Sequence, residues 1–256
     1  MKKLILLALG FLVATCMGVA QVGVPVVKST NAPNKDKVNV STITFNYPAK
    51  DIETAVLEKL KKEGLTPRKS KSKFVVFAGV EYFPLWDNKF DFYLRISGSN
   101  NAGTVELLMT QGYNNYINPT TPEVQERVNK WLLGLEKTVS DYIYERAMAE
   151  HLKEKKLIER TLSSLQTQQD RLTNQYDNLN KQQEAFEKTK VDVSKADPNT
   201  LNTKDIAKQQ NQQEKIVKER NKLEYSLYDV RSRIAASQKD LDNRNKAIDE
   251  LKQQKR

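Results

Sequence analysis

Three acidic residues close together, a single histidine and a run of cations are the groups in this 256-residue chain whose types and spacing could do chemistry. Glu81, Asp87 and Asp91 fall within eleven residues beside a strand turn. Two such carboxylates can act as acid and base in glycoside or other hydrolysis. In a chain with 29% charged residues, however, neighbouring acids are ordinarily solvated. His151 is the only histidine and Cys16 the only cysteine, so no His/Cys metal constellation is offered, and a lone histidine flanked by Glu150 and Lys153 in a helical run shows no relay partner at a recognisable spacing. His151 is therefore expected at the surface or in packing. There is no Gly-rich phosphate loop and no nucleophile elbow. The expectation is no catalytic residue, no metal and no cofactor, with a carboxylate-dependent hydrolase as the outlying alternative.

Two other constellations suit binding. Lys59, Lys61, Lys62, Arg68, Lys69, Lys71 and Lys73 have only Glu63 set against them, so this stretch is the candidate anion-binding site, for an anionic envelope surface or acidic protein. The aromatic runs Tyr82-Phe83-Pro84-Leu85-Trp86 and Tyr113-Asn114-Asn115-Tyr116 sit at strand ends, which makes Tyr82, Phe83, Trp86, Tyr113 and Tyr116 the candidate partner-binding residues. The formal charge of +10 is not localised. Thr138 to Arg256 carries 24 basic and 20 acidic residues, and Gln21 to Lys137 carries 16 and 12. No nucleic-acid recognition motif accompanies the charge, so a nucleic-acid partner is not expected.

Met1-Lys2-Lys3 followed by the apolar run Leu4 to Val13 and by Gly18 and Ala20 reads as a signal peptide, residues 1–20, cleaved before Gln21. Val13-Ala14-Thr15-Cys16 resembles a bacterial lipobox, with Thr15 at a position usually held by a smaller residue; lipid anchoring through Cys16 is the alternative. After cleavage no cysteine and no stretch of transmembrane length would remain, and the periplasm of a bacterial cell envelope is the expected location.

The elements that must position these groups follow from pattern. Residues 21–40 are polar, contain Pro25 and Pro33 and lack a sustained period, so they read as a flexible lead-in. Ser41–Tyr47 reads as a strand, and Pro48 opens a helix whose apolar line is Ile52, Ala55, Val56 and Leu60, with Gly64 as its left-handed stop. Lys73–Tyr82, Lys89–Ser97 and Thr104–Thr110 read as antiparallel strands, since the links between them are too short for parallel crossovers. Thr121-Pro122-Glu123 starts a second helix with Val124, Val128, Trp131, Leu135, Val139 and Tyr142 on one face. The predicted body, residues 41–144, is an α+β domain: a small antiparallel sheet backed by two helices in the order β-α-β-β-β-α.

Beyond it, residues 145–256 change character. Ile158, Leu162, Leu165, Gln169, Leu172, Tyr176, Leu179, Gln183 and Phe186 alternate by four and three. So do Gln213, Ile216, Arg220, Leu223, Leu227, Val230, Ile234, Ser237, Leu241, Arg244, Ile248 and Leu251. Neither helix can hide such a stripe alone. With Asp197-Pro198-Asn199 as turn chemistry in a loop near 191–203, the pattern predicts a long C-terminal antiparallel coiled-coil hairpin, with three-helix or intermolecular pairing as alternatives. The polar seam residues Gln169, Gln183, Gln213, Arg220 and Arg244 are expected to restrict register, and the Gln-rich tip offers an alternative grip on a partner.

These features point to a non-enzymatic, exported protein-interaction or scaffolding module, its partner another envelope protein or a second copy meeting it through the coiled coil. In outline, a basic exported chain with a small β body and helical arms is similar to the periplasmic chaperones of outer-membrane proteins, which implies a holdase as the alternative function. There the hairpin is inserted within the body's sequence, whereas here it follows the body.

Overall fold

The computed structural model describes residues 23–68, 73–112, 115–189 and 203–255. The predicted signal peptide, Lys69, Lys71, Tyr113 and the hairpin loop lie outside the described residues. In chain order the elements are β1 (Val26–Asn31), β2 (Lys37–Phe45), α1 (Ala49–Lys62), β3 (Val75–Tyr82), β4 (Trp86–Gly98), β5 (Gly103–Thr110), α2 (Pro122–Thr189) and α3 (Thr203–Gln254). The chain divides into two compact units, Met1–Glu145 and Arg146–Arg256, with α2 contributing to both.

In the first unit five strands form one antiparallel sheet in the order β1-β2-β5-β4-β3. The last three strands are a meander, because their turns are short. β2 then closes on β5, with Ile43 opposite Val105. Period-2 alternation puts Ile43 and Phe45 of β2, Phe90, Phe92 and Leu94 of β4, and Val105, Leu107 and Met109 of β5 into one buried cluster. α1 adds Ile52, Ala55, Val56 and Leu60 to that cluster, and α2 adds Val124, Val128, Trp131, Leu132, Leu135 and Val139. The Phe77 and Phe92 rings stack at 4.5 Å with 11° between their planes. Gly103 allows α1 this approach, since a Cβ there would lie 2.5 Å from Ile52 Cδ1 and 2.8 Å from the Ala49 Cα. The expected α+β body is thus present, with Gly64 in the left-handed region at φ 85° ending α1.

The lead-in differs from expectation: part of it is β1, paired with β2 from Val26↔Thr42 to Asn31↔Lys37. An edge strand needs no continuous apolar face, and Pro25 just before it resembles a loop signal in sequence. β2 likewise begins at Lys37, earlier than its apolar alternation suggests.

The second unit is an antiparallel helical hairpin formed within one chain. Bonds from Arg244 to His151 and Glu154, from Arg220 to Gln183 and from Gln213 to Glu187 run in opposite sequence directions along the two helices. Every predicted seam residue is buried or half-buried, Val230 the most at 1% exposure. Absence of Pro and Gly from Leu135 to Thr189 lets α2 run unbroken.

Candidate interaction surfaces

At the turn between β3 and β4 the aromatic run is split by the pleat. Phe83 is 66% exposed, Leu85 is fully buried and Trp86 is half-buried, its Nε1 buried without a hydrogen-bond acceptor. Tyr82, one of the candidate partner-binding residues, is buried inside the body. Trp131 Nε1 donates to its hydroxyl at 3.0 Å, and that hydroxyl donates to Glu63 Oε2 at 2.7 Å. Burial, and then the Glu63 hydrogen bond, hold the phenol well above its ordinary pKa; the Trp131 bond acts in the opposite sense. The chain Trp131–Tyr82–Glu63 ends in an ion pair between Glu63 and Lys59. It borders a shallow groove of about 330 Å³ lined by Glu58, Lys59 and Lys62 of α1, by Glu63 just after it, and by Asp141, Tyr142 and Glu145 of α2. Four carboxylates and two lysines line it.

Of the basic stretch, Lys59, Lys61, Lys62, Arg68 and Lys73 are among the described residues. Lys59 is occupied by Glu63, and Lys61 and Lys62 lie exposed in the last turn of α1, where they complement the helix dipole. The Arg68 N–H donates to the Val76 carbonyl at 2.7 Å, closing a bridge on the outer edge of β3, and Lys73 is exposed just before that strand.

The three clustered carboxylates are separated by function. Asp87 accepts two bonds from Arg127, at 2.7 and 2.8 Å. Those bonds lower its pKa below the ordinary carboxylate value. Asp91 accepts the Gly79 N–H at 2.6 Å, where a left-handed glycine at φ 64° makes a bulge in β3. Glu81 meets Lys89 at 3.7 Å on the surface. Among the described residues no group of three or more His, Cys, Asp or Glu side chains is placed to hold a metal ion.

The sheet face away from the main core carries a smaller cluster, Ala32, Val38, Val40 and Leu108, packed with Tyr93 and Tyr116. Next to it Arg95 forms an ion pair with Glu106, donates to Thr30 Oγ1 of β1 at 2.6 Å and stands 4.8 Å from the Phe74 ring centre. This polar clamp ties β1 to β4 across the sheet. Tyr116 is half-buried over this face through a bridge to Thr110, and burial raises its pKa first, with Asp36 adding to the effect.

In the hairpin, the polar seam residues Gln183, Gln213, Arg220 and Arg244 make cross-helix bonds. Arg244 Nη1 lies 2.5 Å from His151 Nδ1, and its Nη2 pairs with Glu154. A guanidinium only donates, so Nδ1 is the acceptor in this bond. Arg220 donates to Gln183 at 3.2 Å, leaving its Nε buried without a partner. His151 was readable in the sequence, since continuing the seam backward from Ile158 by three and then four residues reaches it. Outside the seam, Leu152 at 50%, Leu157 at 64%, Tyr225 at 80% and Tyr228 at 76% exposure are large apolar side chains open to solvent among the hairpin's described residues. Among the described residues no helix is long and apolar enough to cross a membrane. The chain matches no family model, no curated protein and no solved structure.

Proposed function

We propose that the chain is a non-enzymatic, exported protein of the bacterial cell envelope, in which the α+β body carries a coiled-coil hairpin that makes protein contacts as an interaction or scaffolding module. The observation that supports the reading most is that the hairpin satisfies its own seam within one chain. A helix pair that has already buried its stripe is free to present its outer faces, and here those faces carry exposed Leu157, Tyr225 and Tyr228. The non-enzymatic part of the reading draws on the three clustered carboxylates, each tied to a different structural partner. The apolar run and small residues of Met1–Ala20 support export. Lys61, Lys62, Arg68 and Lys73 remain candidates for contact with an anionic envelope surface.

Site-specific photo-crosslinking tests the reading. A photoreactive residue at Leu157 or Tyr225 is expected to give protein adducts in envelope fractions, and one at Phe83 far fewer. Adducts formed from the body alone would overturn it.

A further inference from the structure

The seam of α3 uses Leu223, Leu227, Val230 and Ile234, so at 3.6 residues per turn Tyr225 and Tyr228 fall on the side of the helix turned from its partner. At 80% and 76% exposure they are the most exposed aromatic side chains of the hairpin. The same outward stripe continues toward the C-terminus through Ser232, Ala235 and Ala236, all exposed and all small enough to let another helix come close. Two large rings beside a run of small residues leave knobs and holes that nothing among the described residues fills.

We propose that this outward stripe of α3 is a self-association surface, and that its occupant is the same stripe of a second copy, running antiparallel. The charges select both partner and direction. When Tyr225 is set opposite Tyr228 of the second copy, the four rings form the centre of the contact. Lys222 then faces Asp229, and Glu214 faces Lys239, and two-fold symmetry repeats both pairs. The Lys218 stem lies over Ala235, and Asn221 meets Ser232. All these residues are exposed. Arg231, level with Lys222, is on the opposite flank of the helix, whereas Arg233 shares the flank of Asp229, so Lys222 approaches the carboxylate from the side away from Arg233. A parallel arrangement would set every lysine against its own copy. Asp229 also lies 3.8 Å from Arg233 on its own helix, a weak surface pair that leaves a carboxylate oxygen for Lys222.

The proposal deepens the interaction role given above by naming its partner. Sedimentation velocity of the full chain across a concentration series reads it. The expected result is a reversible dimer that Tyr225→Ser with Tyr228→Ser weakens at least about tenfold, while circular dichroism stays unchanged because both sites are exposed. Lys222→Asp alone should weaken the dimer, and Lys222→Asp combined with Asp229→Lys should restore it. Photo-oxidation of the wild-type chain should give a covalent dimer joined through Tyr225 and Tyr228. A strictly monomeric chain, or a dimer indifferent to the tyrosine and charge-exchange variants, would overturn self-association through this stripe. Neither result would alter the crosslinks to other proteins expected from Leu157, which lies on α2 away from this stripe, so failure of this proposal is distinguishable from failure of the interaction role.

Discussion

The body and the hairpin bury their apolar residues by different rules. In the body, Phe45, Phe77, Phe92, Leu94 and Val105 are all fully buried, and they come from four strands far apart in sequence. In the hairpin, Leu162, Leu165, Ile216 and Leu227 retain 4 to 8% exposure, and polar layers at Arg220 and Arg244 interrupt them. A three-dimensional core has no neighbour to spare at any position. A two-helix seam is open along both flanks, so polar side chains can sit in it with their charged ends near water. The body is therefore the part that shape holds together, and the hairpin the part that register holds together.

The largest break in that contrast should come from the body. Phe92→Ala removes a ring stacked between Phe77 and Phe90 and should cost about 3–5 kcal/mol, enough to unfold the body in a thermal melt followed by near-UV circular dichroism. Leu227→Ala in the seam should fall at the lower end of the Leu→Ala range, about 2 kcal/mol, because the flanks can close in. An equal loss at the two sites would erase the distinction between core and seam.

Tyr82→Phe is the next largest. It leaves the Trp131 N–H and the Glu63 carboxylate without their shared partner, for an expected loss of about 1–2 kcal/mol in denaturant titration. The same residue sets a pH dependence. Its phenol is held neutral in the folded state, so the stabilisation is fully present below the unfolded tyrosine value near ~10 and is lost as pH rises above it. The Tyr82→Phe variant should show a shallower alkaline decline.

Arg220→Met should change the hairpin least, between neutral and a gain of about 1 kcal/mol, because it replaces a seam cation whose Nε is unpartnered with an apolar side chain of similar length. A loss above about 2 kcal/mol would mean that the Gln183 bond matters more than burial. Smaller still is the effect at the surface pair Arg127–Asp87. Asp87 has its pKa lowered by Arg127, so its contribution is present above the ordinary carboxylate value and lost as pH falls through the depressed one. Arg127→Gln should raise the Asp87 titration midpoint toward the ordinary value, as followed by carboxyl-carbon NMR.

What could be read from the sequence follows from the range of the interactions. The seam was legible to the residue, since a four-three period is local and each helix repeats it for many turns. α1 was legible for the same reason, with Pro48 and Gly64 marking its ends. The meander of β3, β4 and β5 was legible from its short turns. The pairing of β2 with β5 was not, because nothing in either segment names the other. β1 was hidden by Pro25 and by the polar Lys28-Ser29-Thr30-Asn31, which suit an edge and look like a loop. The Trp131–Tyr82–Glu63 chain draws one residue from α2, one from β3 and one from the end of α1, so only the assembled fold shows that Tyr82 is withdrawn from the surface. The Lys59–Lys73 cluster was legible as a run of cations, but their individual partners were not, since Lys59 pairs with Glu63 and Arg68 bridges to Val76 of β3 only in the fold.

The account assigns folding of the body to residues up to Glu145 and molecular contact to the hairpin, and one deletion separates the two. A chain lacking residues 152–256 should be compared with the full chain in a single preparation, for cooperative thermal unfolding and for capture of partners from envelope fractions. The predicted result is a body that still melts cooperatively and a set of captured proteins that is lost. An unchanged set of partners would contradict the account.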